Sequence, residues 1–380
     1  MALKNSKPVA LWVVPVPEFG GVARHVTDVA RAGLPGYELV VLAPQGALTQ
    51  RLEELGARVI IGNLGTEAGF LASVKTLHHT IAQEKPAVIH SHLAYADIVS
   101  CTVVNTLKIQ QLVRRTVTVP KLFTTEHGIA GNDAVYHASA AKAKGRELIH
   151  RVRLLLTDRA IAVSRSTAEQ MKLKWGARNV KVIDNGIDQQ TLQAELAYAK
   201  SKQIGVKSGA RVLSLSRLAP EKGLDILLLA FAKVLQKHPE ACLEIAGHGE
   251  LKDSLQSQAQ ELDISGSVEF PGFVNPVEAM ARADVLAQLS IWENASYTLL
   301  DAKAAGLGLV ATDVGGNSEI VSATELVPAL NTTTAEQLAE KVAQKIIAAL
   351  EHPHQQDFSW PTPAEMTQLI AEEYDKELDV

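Results

Sequence analysis

Val212-Leu-Ser-Leu-Ser-Arg-Leu-Ala-Pro-Glu-Lys-Gly223 is a short apolar run that breaks into a charged turn, and from Leu224 apolar residues follow at helical spacing. A buried strand that feeds a helix N-terminus in this way is the repeating unit of an open parallel α/β sheet. Runs of the same kind recur on both sides of it. The first half carries them at residues 9–14, 39–42, 58–61, 88–90, 122–125, 160–163 and 180–183, and the second half at 212–215, 243–246, 268–270, 285–289 and 309–311. A turn or a segment of helical periodicity follows each one, so two doubly wound α/β domains in series are expected, 1–188 and 189–360. A connector without strand pattern runs from 185 to about 209 and includes a polar helix near 189–202. After Pro353 the chain turns polar at His354-Gln-Gln-Asp357, and a last helix is expected over 363–378.

Apolar residues make up 47% of the 380 and charged residues 21%, a balance that excludes a disordered or fibrous chain. Cys101 and Cys242 stand far apart, with no neighbour at metal-ligand spacing, and fit a reducing cytoplasm. Lys4 and Lys7 before Val9-Ala-Leu-Trp-Val-Val14 faintly echo a signal peptide, but Pro15 and Pro17 interrupt the run, which reads as a first buried strand. No run reaches the roughly 18 apolar residues of a spanning helix, so any membrane contact is expected to be peripheral, at the inner face. Residues 1–185 hold 23 Lys and Arg against 14 Asp and Glu, and the remainder 14 against 28. Lys142, Lys144, Arg146, Arg151 and Arg153 surround apolar residues ending Leu154-Leu-Leu156, a pattern that suits either an anionic membrane surface or a solvated face over a core. No nucleic-acid motif accompanies this charge.

Several turns carry residues suited to chemistry. Arg217 and Lys222 sit at a strand end beside a helix N-terminus, where backbone N–H groups and the helix dipole favour an anion such as a diphosphate. Two surface cations flanking a turn is the plainer explanation. Gly247 and Gly249 in Ile245-Ala-Gly-His-Gly-Glu250 allow close backbone approach or simply a tight turn. Phe273 and Val274 follow another strand and suit either a nucleotide base or the core. In Ile291-Trp-Glu-Asn-Ala-Ser-Tyr-Thr-Leu-Leu-Asp301, the carboxylates of Glu293 and Asp301 stand eight positions apart, spaced to face one cleft and accept sugar hydroxyls. Either one is equally accounted for as an acidic helix start. Glu18-Phe-Gly-Gly-Val-Ala-Arg-His25 opens the first helix with a glycine turn, but lacks the third glycine of a dinucleotide fingerprint, and no Walker sequence is present. His90, His92 and His127 fall at strand ends, where an open sheet places its crevice.

In this order, the pieces resemble the retaining glycosyltransferases of the GT-B fold, group 1 or family 4 type. The likeness runs through Gly20-Gly21, Thr125-Glu-His-Gly128, Ala160-Ile-Ala-Val-Ser164, Val182-Ile-Asp-Asn-Gly-Ile-Asp188, Arg217 with Lys222, Glu293 with Asp301, and Val314-Gly-Gly-Asn-Ser-Glu-Ile-Val321. It implies two Rossmann-like domains facing an interdomain cleft, the first on the acceptor side, with a C-terminal helix over 361–380 crossing back to the first. It further implies a hexose transferred from a GDP- or UDP-linked donor to a glycan, lipid-linked or small-molecule acceptor, with retention and without a metal or other cofactor. By the same resemblance Arg217 and Lys222 clamp the diphosphate, Glu293 holds the donor sugar and Asp301 the ribose. His127 contacts the transferred sugar and Gly20 and Gly21 lie against the phosphates. Gly247, Gly249, Phe273, Val274, Asn294, Ala295, Ser296 and Tyr297 line the donor, and His92 and Arg24 lie on the acceptor side. Three positions depart from the family pattern: Asp301 replaces a glutamate, Asn294-Ala-Ser-Tyr297 replaces the usual Gly-Phe-Gly, and Asp184 replaces a proline. A nucleotide-sugar epimerase and a catalytically silent nucleotide-sugar-binding subunit are the alternatives.

Overall fold

The computed structural model describes residues 7–115, 118–129, 140–202, 210–330, 332–352 and 358–379, with 140–144 described by backbone alone. The polar run at 354–357, the end of the connector and the side chains of Lys142 and Lys144 lie outside the described residues. The chain divides into two compact units, Met1–Gly186 with Pro361–Val380, and Ile187–Trp360.

In the first unit β1 (Val9–Val13), β2 (Glu38–Ala43), β3 (Arg58–Ile61), β4 (Val88–His92), β5 (Lys121–Glu126), β6 (Arg159–Ala162) and β7 (Val180–Val182) form one sheet in the order β3-β2-β1-β4-β5-β6-β7. All of its pairings are parallel. Successive side chains of a strand point to opposite faces, and β1 shows what this requires. Ala10 and Trp12 enter a core with Met366, Ile370 and Tyr374 of the last helix, while Leu11 and Val13 enter another with Leu77, Val99 and Val104. The strand is therefore an unbroken apolar run and not an alternating one.

The last helix, Pro363–Leu378, has the expected bounds. Thr362 and Glu365 form a capping box with Pro363 in the first turn, which satisfies the free N-terminal amides and fixes where the helix starts. Met366, Ile370 and Tyr374 recur at four-residue spacing and make its buried stripe. The Tyr374 hydroxyl accepts from Trp12 Nε1 at 3.0 Å and also bonds His90 Nδ1. Around it Tyr37 Oη donates to Asp375 at 2.7 Å, and Arg159 pairs with Glu373 and Glu377.

The second unit repeats the plan with β8 (Arg211–Leu215), β9 (Cys242–Ala246), β10 (Val268–Gly272), β11 (Val285–Gln288), β12 (Gly308–Thr312) and β13 (Leu326–Val327), in the order β10-β9-β8-β11-β12-β13. The sequence pattern misses β13, because two residues are too few to show a period. One core lies under helices Leu224–Lys237 and Ala335–Glu351, and the other under Gln189–Ser201, Pro276–Ala281 and Tyr297–Ala304. Among the described residues, no helix is long and apolar enough to cross a membrane.

Replacing Tyr374 by Phe is expected to lower unfolding stability by about 1–3 kcal/mol, since Trp12 and His90 lose a buried partner. Tyr374→Ala should cost about 3–5 kcal/mol by opening a cavity. Urea denaturation measures both, and a Phe variant as stable as the unaltered protein would show that the hydroxyl contributes nothing.

Candidate functional site

Each unit gathers polar side chains where its strand order reverses, between β8 and β11 in one and between β1 and β4 in the other, at the carboxyl ends of the strands. In the second unit, β8 leads through Ser216 and Arg217 into a tight 3-10 turn, Pro220–Lys222, and Gly223 begins the helix in a left-handed conformation (φ 57°). The turn projects Lys222 toward the loop after β11. Its Nζ lies 2.7 Å from Glu293 Oε1 and 3.4 Å from Ser290 Oγ, and Ser290 Oγ donates to the same carboxylate oxygen at 2.7 Å. An ammonium has three donors, so one is left for an incoming acceptor. Arg217 Nη2 pairs with Glu221 at 2.5 Å while its side chain is 72% exposed, so most of the guanidinium faces solvent.

Backbone contacts fix these loops. Ile291 N donates to Glu221 O at 2.8 Å, and Thr312 Oγ1 to Ser290 O at 2.6 Å. Gly315, with φ 54°, lies so close to Glu293 that a Cβ would come within 1.7 Å of its carbonyl oxygen. Gly247 and Gly249 pack equally closely on the carbonyls of Ser216 and Leu218, so the chain itself accounts for both. Ser296 caps helix Tyr297–Ala304 and donates to Gln288 at 2.9 Å. Asn294, Tyr297 and Asp301 are buried and Ala295 is half-buried. Val274 packs on a core, but Phe273 is 80% exposed, which removes the core explanation for it.

In the first unit, helix Gly21–Ala32 follows β1 and supplies His25, β4 ends on His92, and His127 follows β5. His92 Nδ1 and His127 Nε2 are 2.9 Å apart, and His25 Nδ1 is 3.1 Å from Asn185 Oδ1. Trp12 underlies them, its ring 4.5 Å from that of His92 and 5.7 Å from that of His25. Burial lowers the pKa of His25 to about 4, against a small upward pull from Asn185. Burial first, and neighbouring imidazoles second, hold His90, His92 and His127 well below the ordinary value, so all four are neutral at pH 7. His90 is bound to Tyr374 and to Thr125 Oγ1 and belongs to the scaffold. Gly20 and Gly21 open the helix, and among the described residues nothing outside their own stretch of chain lies within 4 Å of where a Cβ would stand; Arg24, one turn on, pairs with Asp28 at 3.5 Å.

On the other face of β4 and β5 is a buried ionic group that the sequence pattern does not reveal. Arg153 pairs with both Asp97 and Glu126, and Asp97 also accepts from Ser91 at 2.6 Å and Thr124 at 2.7 Å. Burial raises the pKa of both carboxyls against the pull of Arg153. Arg153 therefore turns inward from helix Ala140–Leu155, while Leu148, Ile149, Val152 and Leu155 are exposed. The reading of a basic outer face over an apolar inner one fails at Arg153 and these four apolar residues, whereas Arg151 stays exposed. His25 and Ser290 are also missed in sequence, since their roles depend on partners far along the chain.

The glycosyltransferase family 4 model matches residues 19–191, and the glycosyl transferases group 1 model matches 199–359. An uncharacterized glycosyltransferase of Methanocaldococcus jannaschii is 32% identical over 216 residues, 53% of this chain and 53% of that protein, so the chain spans about half the length of that relative. Glycogen synthase of Mycobacterium tuberculosis is 26% identical over 82% of this chain and 78% of its own. The crystal structure of HepE from Anabaena in complex with UDP superposes with a TM-score of 0.70 at 22% identity, covering 98% of both chains, a likeness of fold.

The low histidine pKa values make stability depend on pH. The unfolded chain takes up protons near 6.5 while folded His25 does so only near 4, so stability is full above pH 6.5 and falls as pH drops through that window. His25 alone should account for a loss of about 3 kcal/mol by pH 4. Urea midpoints at pH 7, 5.5 and 4.5 measure this, and a flat profile would contradict the burial of neutral imidazoles.

Proposed function

As the chain belongs to the group 1 and family 4 glycosyltransferases, we propose that it moves a hexose from a nucleoside diphosphate sugar to an acceptor hydroxyl with retention of configuration. The observation that carries this reading is the Lys222–Glu293–Ser290 group beside the exposed Arg217. A departing nucleoside diphosphate gains negative charge, and two cations already in position stabilise it without reorganisation. Arg217 and Lys222 take the phosphates, Glu293 the hydroxyls of the sugar and Asp301 the ribose. Phe273 and the loop from Asn294 to Tyr297 border the donor. His127, neutral and half-buried, contacts the transferred sugar, and the open space before Gly20 and Gly21 admits phosphate. The departing phosphate takes the acceptor's proton, and the two cations do the work of a metal ion. HepE was crystallised with UDP and with UDP-glucose, which makes UDP-sugars the first donors to test.

The acceptor we assign is lipid-linked. Helix Ala140–Leu155 exposes Leu148, Ile149, Val152 and Leu155, and Ala94–Val113, which packs against it, exposes Ile109, Leu112 and Val113. Arg114 and Arg115 follow this second apolar set in the chain. Apolar side chains among arginines suit an anionic membrane surface. Vesicles of anionic lipid should sediment the protein at low salt, and failure to do so would remove this assignment.

Thermal shift against UDP, GDP, ADP and their sugar conjugates should give a rise with one nucleotide series. Arg217→Ala should then lower kcat by about 100-fold or more while changing stability by less than about 0.5 kcal/mol, as the side chain is solvent-exposed. A folded variant with unchanged transfer would sink the clamp. Donor consumed without acceptor, or interconverted, would favour hydrolysis or epimerisation, and a shift without turnover of any donor a silent nucleotide-sugar-binding subunit.

A further inference from the structure

His25, His92 and His127 each offer a ring nitrogen, and the three nitrogens lie within 4.8 Å of one another. We propose that these three histidines form a binding site for a divalent first-row transition ion of the Zn²⁺ class, with an open coordination position. The site stands on the histidines and not on the transferase reading.

Two features of the cluster support it. His25 Nδ1 faces Asn185 Oδ1, an oxygen that only accepts, so Nδ1 carries the proton and Nε2 keeps its lone pair. That Nε2 is buried and has no hydrogen-bond partner. A ligand imidazole ordinarily donates its other N–H to a fixed acceptor, as His25 does to Asn185. Next, the rings are already neutral, so an ion competes with no proton at pH 7.

The donor set selects the metal. Imidazoles without carboxylate or thiolate suit Zn²⁺, Cu²⁺, Ni²⁺ or Co²⁺ and not Mg²⁺ or Ca²⁺. At Zn–N distances of about 2.0–2.1 Å tetrahedral ligand nitrogens are about 3.3 Å apart, so closure takes ring movements on the order of 1 Å. The His92–His127 hydrogen bond gives way, with the proton of His92 on Nε2 and Nδ1 turned to the ion. Three ligands leave a fourth position for water or a substrate oxygen. Since His127 is assigned to the transferred sugar, an ion there blocks transfer, and this consequence alone rests on the transferase reading. Zn²⁺ is expected to inhibit competitively with the donor.

The test is titration of the chelator-treated full chain with Co²⁺. One equivalent should bind with the intense visible absorption of four- or five-coordinate cobalt, and Zn²⁺ should displace it. Asn185→Ala should weaken binding about 10–100-fold through the lost orienting bond, and His25→Gln and His127→Gln by more. A weak octahedral spectrum, a thiolate charge-transfer band, or undiminished affinity in a cooperatively melting His127→Gln protein would overturn the site. If the His25 variant does not fold, the imidazole ¹⁵N spectrum of the unaltered protein decides. Zn²⁺ should move the signals of three of the 12 histidines, and movement of none or of a different set refutes the assignment. Binding without loss of transfer would overturn the competition and leave the site, whereas transfer intact with no binding would remove the site and leave the transferase reading.

Discussion

Parallel pairing is the constraint from which the rest of both units follows. A parallel strand cannot turn back on its neighbour, so the chain leaves at the carboxyl edge, crosses a face of the sheet as a helix and re-enters from the other end. Both faces are covered and the strands become apolar throughout, as the two cores on either side of β1 show. Every loop that leaves a strand emerges on one edge, and where the order reverses two of them diverge and open a crevice. Lys222 and Glu293 meet at one such point, and His25 and His92 at the other.

The energetics of the two crevices differ. The ammonium and carboxylate of the second unit are half-buried, a setting in which the pair gains little stability for the fold and is free to exchange partners with a ligand. Arg153, Asp97 and Glu126 are buried almost completely. Removing Arg153 would leave two buried carboxyls without their cation, whereas the intact group is held by added bonds from Ser91 and Thr124. Rigid polar packing of this kind holds the end of β5, and with it His127, in place.

The returning helix links these features. Tyr374 bonds Trp12 and His90, and these rings support His92 and His25. A segment more than 280 positions away in sequence thus sets the floor beneath the histidines.

Composition and periodicity were enough to read two doubly wound units, twelve of the thirteen strands among the described residues and the bounds of the last helix, because burial on both faces imposes unbroken apolar runs and caps have local chemistry. Arg217, Lys222, Glu293 and His127 follow strand ends in the structure as in the sequence reading, since their position relative to a strand is itself local. What the sequence did not determine was pairing. That Lys222 meets Glu293 71 positions on, that Arg153 turns inward while its apolar neighbours face outward, and that His25, His92 and His127 converge are results of strand order and helix rotation. Those depend on long-range packing, which brings together side chains whose separation along the chain carries no trace of their contact.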